Sequence, residues 1–259
     1  MVNVKSGDFS GLAEAYAKHR PDYSRAVRDL LLKQVGAPTR DFAVADVGAG
    51  TGIWSLMLLS AGLDCRCVEP NDDMRAQGEI ATRGFNTVRW LKGSGQATTL
   101  DHSSQNWVTM ASSFHWVDAE PALREFHRIL KPGGYFTALW NPRDIERIPL
   151  HAKIEEIIYR IVPELDRKSS GGKKHVADMY SVLASNGLFE DVVFIEAPHV
   201  INMSHERYLG VWRSVNDIQA QAGPERFERI IDAIKEQIQD LPSIAVPYLT
   251  RSWTARVVK

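Results

Sequence analysis

From Phe42 to Trp140 the chain alternates short apolar runs with stretches whose apolar residues recur at helical spacing. That alternation predicts βαβ units and a parallel sheet. The first run, Phe42-Ala43-Val44-Ala45-Asp46-Val47, reads as a strand. Ile53, Trp54, Leu56, Met57, Leu58 and Leu59 then make a helix apolar enough to be buried against the sheet. A second strand, Cys65-Arg66-Cys67-Val68, ends at Glu69, and further strands are expected at Thr87–Leu91, Trp107–Ala111 and Tyr135–Trp140. Between the last two, Asp118 is placed to cap a helix, Pro121 falls in its first turn, and Leu123, Phe126, Ile129 and Leu130 carry the period. Lys131-Pro132-Gly133-Gly134 ends it.

Beyond Trp140 the pattern changes. Ile154, Ile157, Ile158 and Ile161 predict a helix, and the polar run Arg167–Lys174 reads as a solvated loop. Val192–Ile195 predicts a strand. Two amphipathic helices follow, one through Tyr208, Val211, Trp212 and Val215, the other through Phe227, Ile230, Ile231, Ile234 and Ile238, before a last strand near Tyr248–Val258.

Composition narrows the function classes. With 259 residues, 44% hydrophobic, 24% charged and a formal net charge of -1, the chain reads as one ordinary globular α/β unit with room for a cap grown from its loops. So even a charge balance predicts neither a nucleic-acid nor a membrane partner. Met1–Phe9 has no basic region followed by an apolar stretch, and a cytoplasmic protein is expected. Cys65 and Cys67 sit two apart in an apolar run and read as reduced core thiols.

The chemistry concentrates at the first strand-to-helix turn. Gly48, Gly50 and Gly52 let backbone approach a ligand where side chains would collide, and Glu69, closing the next strand, is placed to accept hydrogen bonds from two ribose hydroxyls. Together they imply an adenosine-containing ligand. The dinucleotide fingerprint G-x-G-x-x-G needs glycine where this chain has Ile53; the turn here is G-x-G-x-G.

Asp46-Val47-Gly48-Ala49-Gly50-Thr51-Gly52, Val68-Glu69-Pro70-Asn71-Asp72-Asp73-Met74, Gly95–Leu100 and Ser112–Asp118 occur in the order seen in class I S-adenosylmethionine-dependent methyltransferases. The chain resembles that family, and within it the small-molecule group that includes trans-aconitate methyltransferase-like proteins. Tyr16–Tyr23 is similar to an N-terminal segment that folds over the cofactor in that group, and Val246–Arg251 to its final strand. Two positions depart from the pattern: Gln96 stands where an acid is common, and Asn106 where many relatives carry aspartate.

The resemblance implies a Rossmann-like, doubly wound α/β fold: a seven-stranded, mostly parallel sheet with one reversed strand and helical cap insertions. Its expected parts are a lid and cofactor core over 1–141, cap insertions over 142–174 and 204–244, core completion over 175–203 and a final strand over 245–259. S-adenosylmethionine would be held by Tyr16, Arg20, Asp46, Gly48, Ala49, Gly50, Thr51, Glu69, Pro70, Met74, Gln96, Ala97 and Ser112. Arg20, with its planar fork, is expected to take the methionine carboxylate.

His115, Trp116, Trp140 and Trp212 are candidate walls for a small-molecule substrate, and His115 is a candidate general base. The expected reaction is in-line transfer of a methyl group to a small acceptor, most simply a carboxylate or hydroxyl oxygen, without a metal. A nicotinamide-dependent oxidoreductase and a non-catalytic S-adenosylmethionine-binding protein are the alternatives. Oligomeric state is unassigned.

Overall fold

The computed structural model describes residues 11–39, 41–167 and 178–259. The Met1–Phe9 segment, the Lys168–Lys174 part of the polar run and the boundary expected at 174/175 lie outside them. In chain order the elements are α1 (Ala13–His19), α2 (Arg25–Gln34), β1 (Ala43–Val47), α3 (Ile53–Leu59), β2 (Asp64–Val68), α4 (Asp72–Thr82) and β3 (Val88–Leu91). Next come β4 (Gln105–Ala111), α5 (Ala119–Ile129), β5 (Leu130–Trp140), α6 (Pro149–Ile161), α7 (Met179–Ala184) and β6 (Phe189–Met203). The last are α8 (His205–Arg213), α9 (Asn216–Ile238) and β7 (Ile244–Val257).

The strands form a seven-stranded sheet in the order β3-β2-β1-β4-β5-β7-β6. β7 alone is reversed, running antiparallel to both β5 and β6. This is the doubly wound, Rossmann-like α/β sheet expected from the sequence. The order reverses at β1 and β4, which pair in parallel, so a crevice opens at their carboxyl ends. One face carries a core of Val27, Leu31, Trp54 and Leu58 from α2 and α3, the other a core of Leu123, Phe126 and Ile129 from α5. Both bury apolar area, the main favourable contribution to folding.

Two elements differ from the sequence reading. α5 ends at Ile129, and Leu130, read as the last position of its period, instead opens β5, which runs through Lys131–Gly134 without a separate turn. The pairing with β4 slips there, between Gln105 and Trp107, because the extra residues need a bulge. β6 runs from Phe189 to Met203 rather than over four residues; it is an edge strand whose outer positions face solvent, so most of its length lacks an apolar run.

The β6–β7 ribbon extends past the sheet. β5 ends at the pair Trp140↔Arg251, while β7 and β6 remain paired from Thr250↔Ala197 out to Ile244↔Met203. On this extension α6, α8 and α9 build a core of their own from Ile154, Ile158, Tyr208, Trp212, Ile230 and Ile234, packed on Met203, Ile244 and Val246. α9 is kinked at Gly223 (φ 71°), ahead of Pro224, and its apolar period is clear only beyond the kink. Among the described residues no helix is long and apolar enough to cross a membrane.

Candidate functional site

The glycine turn is held open by backbone geometry. Gly48 (φ 65°) and Gly50 (φ 57°) adopt the left-handed conformation that side chains disfavour. A Cβ on Gly48 would lie 2.7 Å from Ser113 Cβ. Gly48 N and Ala49 N both donate to Val68 O, which ties the turn to the end of β2. Under it lies Asp46, fully buried, accepting hydrogen bonds from Ser55 Oγ at 2.5 Å and Thr109 Oγ1 at 3.1 Å. Burial pushes its carboxyl up to about 7, against the downward pull of those two hydroxyls. Asp46 is thus a fastener of the turn, beneath the cavity rather than in its wall.

Glu69 follows β2 and is 7% exposed. Its Oε2 accepts from Gly50 N at 2.8 Å and its Oε1 from Asn71 N at 2.9 Å, and its own carbonyl accepts from Arg75 Nη1. Desolvation raises its pKa; the two amide donors oppose this. A carboxylate has about four lone-pair sites, so each oxygen keeps capacity for a hydroxyl donor from a ligand.

These groups face a cavity of about 250 Å³. Of the residues expected at the cofactor, Tyr16, Gly48, Ala49, Gly50, Thr51, Glu69, Pro70, Met74, Gln96 and Ser112 line it. Ala97 does not; its N–H and C=O close a small turn with Ser94. Thr51 Oγ1 and Trp54 Nε1 are buried at this cavity without a hydrogen-bond partner among the described residues, as polar atoms reserved for a ligand would be. Asn106 is remote from the cavity, accepting from Ala43 N and Lys131 Nζ.

A second chamber of about 70 Å³ adjoins the first, and Tyr16, Tyr23, Ile53, Ser112 and Trp116 belong to the walls of both. Ser112 directly follows β4 at φ 53°, a strained value for a serine, with Tyr23 OH donating to its Oγ at 2.8 Å. The remaining walls include Arg20, His115, Asn141, Arg143, Val211, Val215, Asn216 and Tyr248. Arg20 lies here and not in the first cavity. Its Nε donates to Ser214 Oγ at 2.8 Å, its Nη2 to Ser214 O at 3.0 Å, and its guanidinium sits 4.7 Å from the Tyr16 ring centre. The fork expected to take the methionine carboxylate is instead used to fasten α1 to the end of α8.

Other contacts hold α1 to α8. Lys18 pairs with Glu206 at 2.7 Å, Arg207 donates to His19 O and Arg20 O, and Gly210 leaves room for the His19 ring, which a Cβ would approach to 2.3 Å.

His115 accepts at Nδ1 from Trp140 Nε1, 3.2 Å away. Indole nitrogen only donates, so a neutral His115 carries its proton on Nε2 and presents a donor rather than a base. Trp140 and Trp212, read from sequence as substrate walls, are core residues, 2% and 1% exposed. They reach the chamber only through His115 and Arg143, whose guanidinium stacks 3.8 Å from the Trp212 ring centre. Sequence cannot separate a wall from the layer behind it for a tryptophan. Sequence reasoning passed over Tyr23, Trp54, Arg143 and Tyr248. Arg143 had a signal, since it stands just past the carboxyl end of β5, where α/β folds place ligands.

Comparison with known proteins agrees with this geometry. Residues 45–138, from β1 into β5, match the family described as a methyltransferase domain. The chain is 34% identical over 152 residues to an uncharacterized methyltransferase, Rv3342, of Mycobacterium tuberculosis, covering 59% of each chain. It is 32% identical over 107 residues to the ubiquinone/menaquinone biosynthesis C-methyltransferase UbiE of Rubrivivax gelatinosus, covering 41% of this chain and 42% of that one. The match thus spans about three-fifths of the length of the first curated relatives. A solved structure, a proposed type II methyltransferase from Anaeromyxobacter dehalogenans, superposes with a TM-score of 0.64 at 21% identity over 92% of this chain and 98% of that one. Residues 45–138 thus match a methyltransferase-domain family, and the chain shares the fold of that solved structure.

Proposed function

We propose that the protein transfers a methyl group from S-adenosylmethionine to an oxygen of a small-molecule acceptor. The observation that carries this reading is the pairing of a glycine-and-Glu69 cradle with a separate chamber that shares an aromatic-lined aperture with it. When bound, S-adenosylmethionine supplies an electrophilic methyl on a sulfonium. Glu69 would receive the ribose hydroxyls, Gly48 to Gly50 would admit the ligand against bare backbone, Thr51 Oγ1 would meet its polar groups, and Gln96 would face the adenine edge.

The chain's remaining work is alignment and exclusion of water. Tyr23, Ile53 and Trp116 narrow the aperture, α1 covers it, and Ser112, fixed by Tyr23, orients what lies there. Because Nδ1 of His115 is held by Trp140, the ring positions the acceptor through a donated hydrogen bond and does not remove its proton. An acceptor already ionised, such as a carboxylate, needs no base, which favours an oxygen acceptor. The likeness to a C-methyltransferase supports a carbon acceptor as the second reading.

Calorimetric titration with S-adenosylmethionine, S-adenosylhomocysteine and NAD, followed by transfer of labelled methyl to a small-molecule panel, tests the proposal. Binding of the first two but not NAD, with ester or ether products, is expected. NAD binding alone would support an oxidoreductase, and cofactor binding with no transfer would support a non-catalytic role.

A further inference from the structure

We propose that the second chamber is an acid-binding site in which Arg143 anchors an anionic group of the acceptor, away from the atom that takes the methyl. This rests on reading the adjoining cavity as the cofactor site. Among the described residues, the walls of the chamber contain the guanidinium groups of Arg20 and Arg143 and no carboxylate. Arg20 is committed to Ser214.

Arg143 is differently placed. Its side chain is 12% exposed and makes no hydrogen bond among the described residues. One face of its guanidinium is covered by Trp212, and its nearest carboxylate oxygen, Glu155 Oε1, is 3.4 Å away and receives no hydrogen bond. Glu155 is engaged elsewhere: its Oε2 accepts from Arg167 Nη1 at 2.9 Å, and Arg167 also pairs with the fully buried Asp217. A largely desolvated guanidinium with unspent N–H groups is suited to a bidentate anion.

The wider field has the same sign. Tyr248, in the chamber wall, has its pKa raised by burial, while Arg143, Arg20 and Arg207 all pull it down. Behind the wall, Glu155 is shared as an ion-pair partner by Arg143 and Arg167, Asp217 pairs with Arg167, and Glu206 is taken by Lys18.

Position then fixes the polarity of the acceptor. Arg143 lines the second chamber but not the cofactor cavity, whereas Ser112, Tyr23 and Trp116 line both. An acid held at Arg143 therefore places the opposite end of the molecule at the aperture, with its body against Val211, Val215 and Tyr248. The substrate class is a small organic acid with an apolar or planar body.

The test begins with wild-type protein titrated with S-adenosylhomocysteine; absence of binding would remove the cofactor reading, and the probe titrations on unliganded protein would still judge the acid site. Protein with and without S-adenosylhomocysteine is then titrated with phenylacetate, phenylacetamide and phenethylamine, matched in shape. Phenylacetate is expected to bind about tenfold or more tighter than the amide, with the amine weakest. Arg143→Gln should erase that preference while S-adenosylhomocysteine affinity stays within about twofold, and Arg143→Lys, which keeps the charge without the fork, should retain part of it. If Arg143→Gln does not fold, the wild-type ranking and Arg143→Lys decide. Equal affinity for acid and amide, no binding of the acid, or an acid preference that survives in folded Arg143→Gln would overturn the proposal.

Discussion

The two adjoining chambers are built in opposite ways. The proposed cofactor cavity is largely local: Gly48, Ala49, Gly50 and Thr51 are consecutive, Glu69 directly follows the next strand, and all stand just past the ends of β1 and β2, whose pairing the buried core fixes. The second chamber is assembled from segments far apart in sequence, joining Arg20 and Tyr23 to Ser112 and His115, then Arg143, Val211, Asn216 and Tyr248. Part of its wall, Val211, Val215 and Tyr248, rides on the β6–β7 extension and the helices packed on it. A cavity set by backbone in one turn tolerates little change in shape, whereas one set by side chains from many elements can be re-tuned one residue at a time.

The comparison is most severely tested beneath the glycine turn. Asp46 has its pKa raised from 3.8 to about 7 by burial, so between those values the unfolded state ionises while the folded state still holds the proton. Stability should fall as pH rises through that window and level off above it, by up to about 4 kcal/mol at about 1.4 kcal/mol per unit. Denaturant unfolding at about pH 5 and about pH 7.5, which spans about two units of that window, should show roughly 2–3 kcal/mol of this loss in the wild type. The loss should be clearly smaller in Asp46→Asn; an unchanged slope would mean that Asp46 is not the group concerned.

Next in size is Gly50→Val. A Cβ there would meet only Met74 Cε, at 3.4 Å, so the fold has room for it, but the side chain enters the cofactor cavity from a left-handed backbone. S-adenosylmethionine affinity should fall by about a hundredfold or more, roughly 2.7 kcal/mol, with the circular dichroism spectrum retained. Normal binding would break the claim that this backbone is a ligand surface.

How much of the molecule was legible follows the same division. β1, the glycine turn and Glu69 could be read because the constraint is contiguous: left-handed backbone demands glycine, and the next strand must end where a ligand would lie. The last strand and the helices after Trp140 and after His199 were visible in their periodicities, whereas the reversal of that strand was implied only by the family resemblance. The second chamber was not, because no short stretch encodes it. Trp140 and Trp212 read as walls because apolar aromatics suit a pocket and a core equally, and only packing distinguishes them. The bond from Arg20 to Ser214 was not legible either, since Ser214 is distant in sequence.

Glu69→Ala is expected to weaken S-adenosylmethionine by about 2 kcal/mol, through lost charge-assisted hydrogen bonds and a turn no longer held at Gly50 N and Asn71 N. Unchanged affinity by calorimetry in a folded variant would remove Glu69 from the site.

The smallest effect expected is from Arg20→Ala, which loses two hydrogen bonds to Ser214 and should cost about 1 kcal/mol of stability in thermal unfolding. S-adenosylmethionine and S-adenosylhomocysteine affinities should change less than about threefold. A large loss for both, with adenosine unaffected, would restore Arg20 as the partner of the methionine carboxylate.

The central claim, that one cavity holds the donor and its neighbour receives the acceptor, is tested most directly by a crystal structure of the protein with S-adenosylhomocysteine. The account predicts the ribose hydroxyls on Glu69 and the sulfur at the aperture formed by Tyr23, Ser112 and Trp116, facing the chamber that contains Arg143. A nucleoside bound away from Glu69, or a sulfur turned away from that aperture, would contradict it.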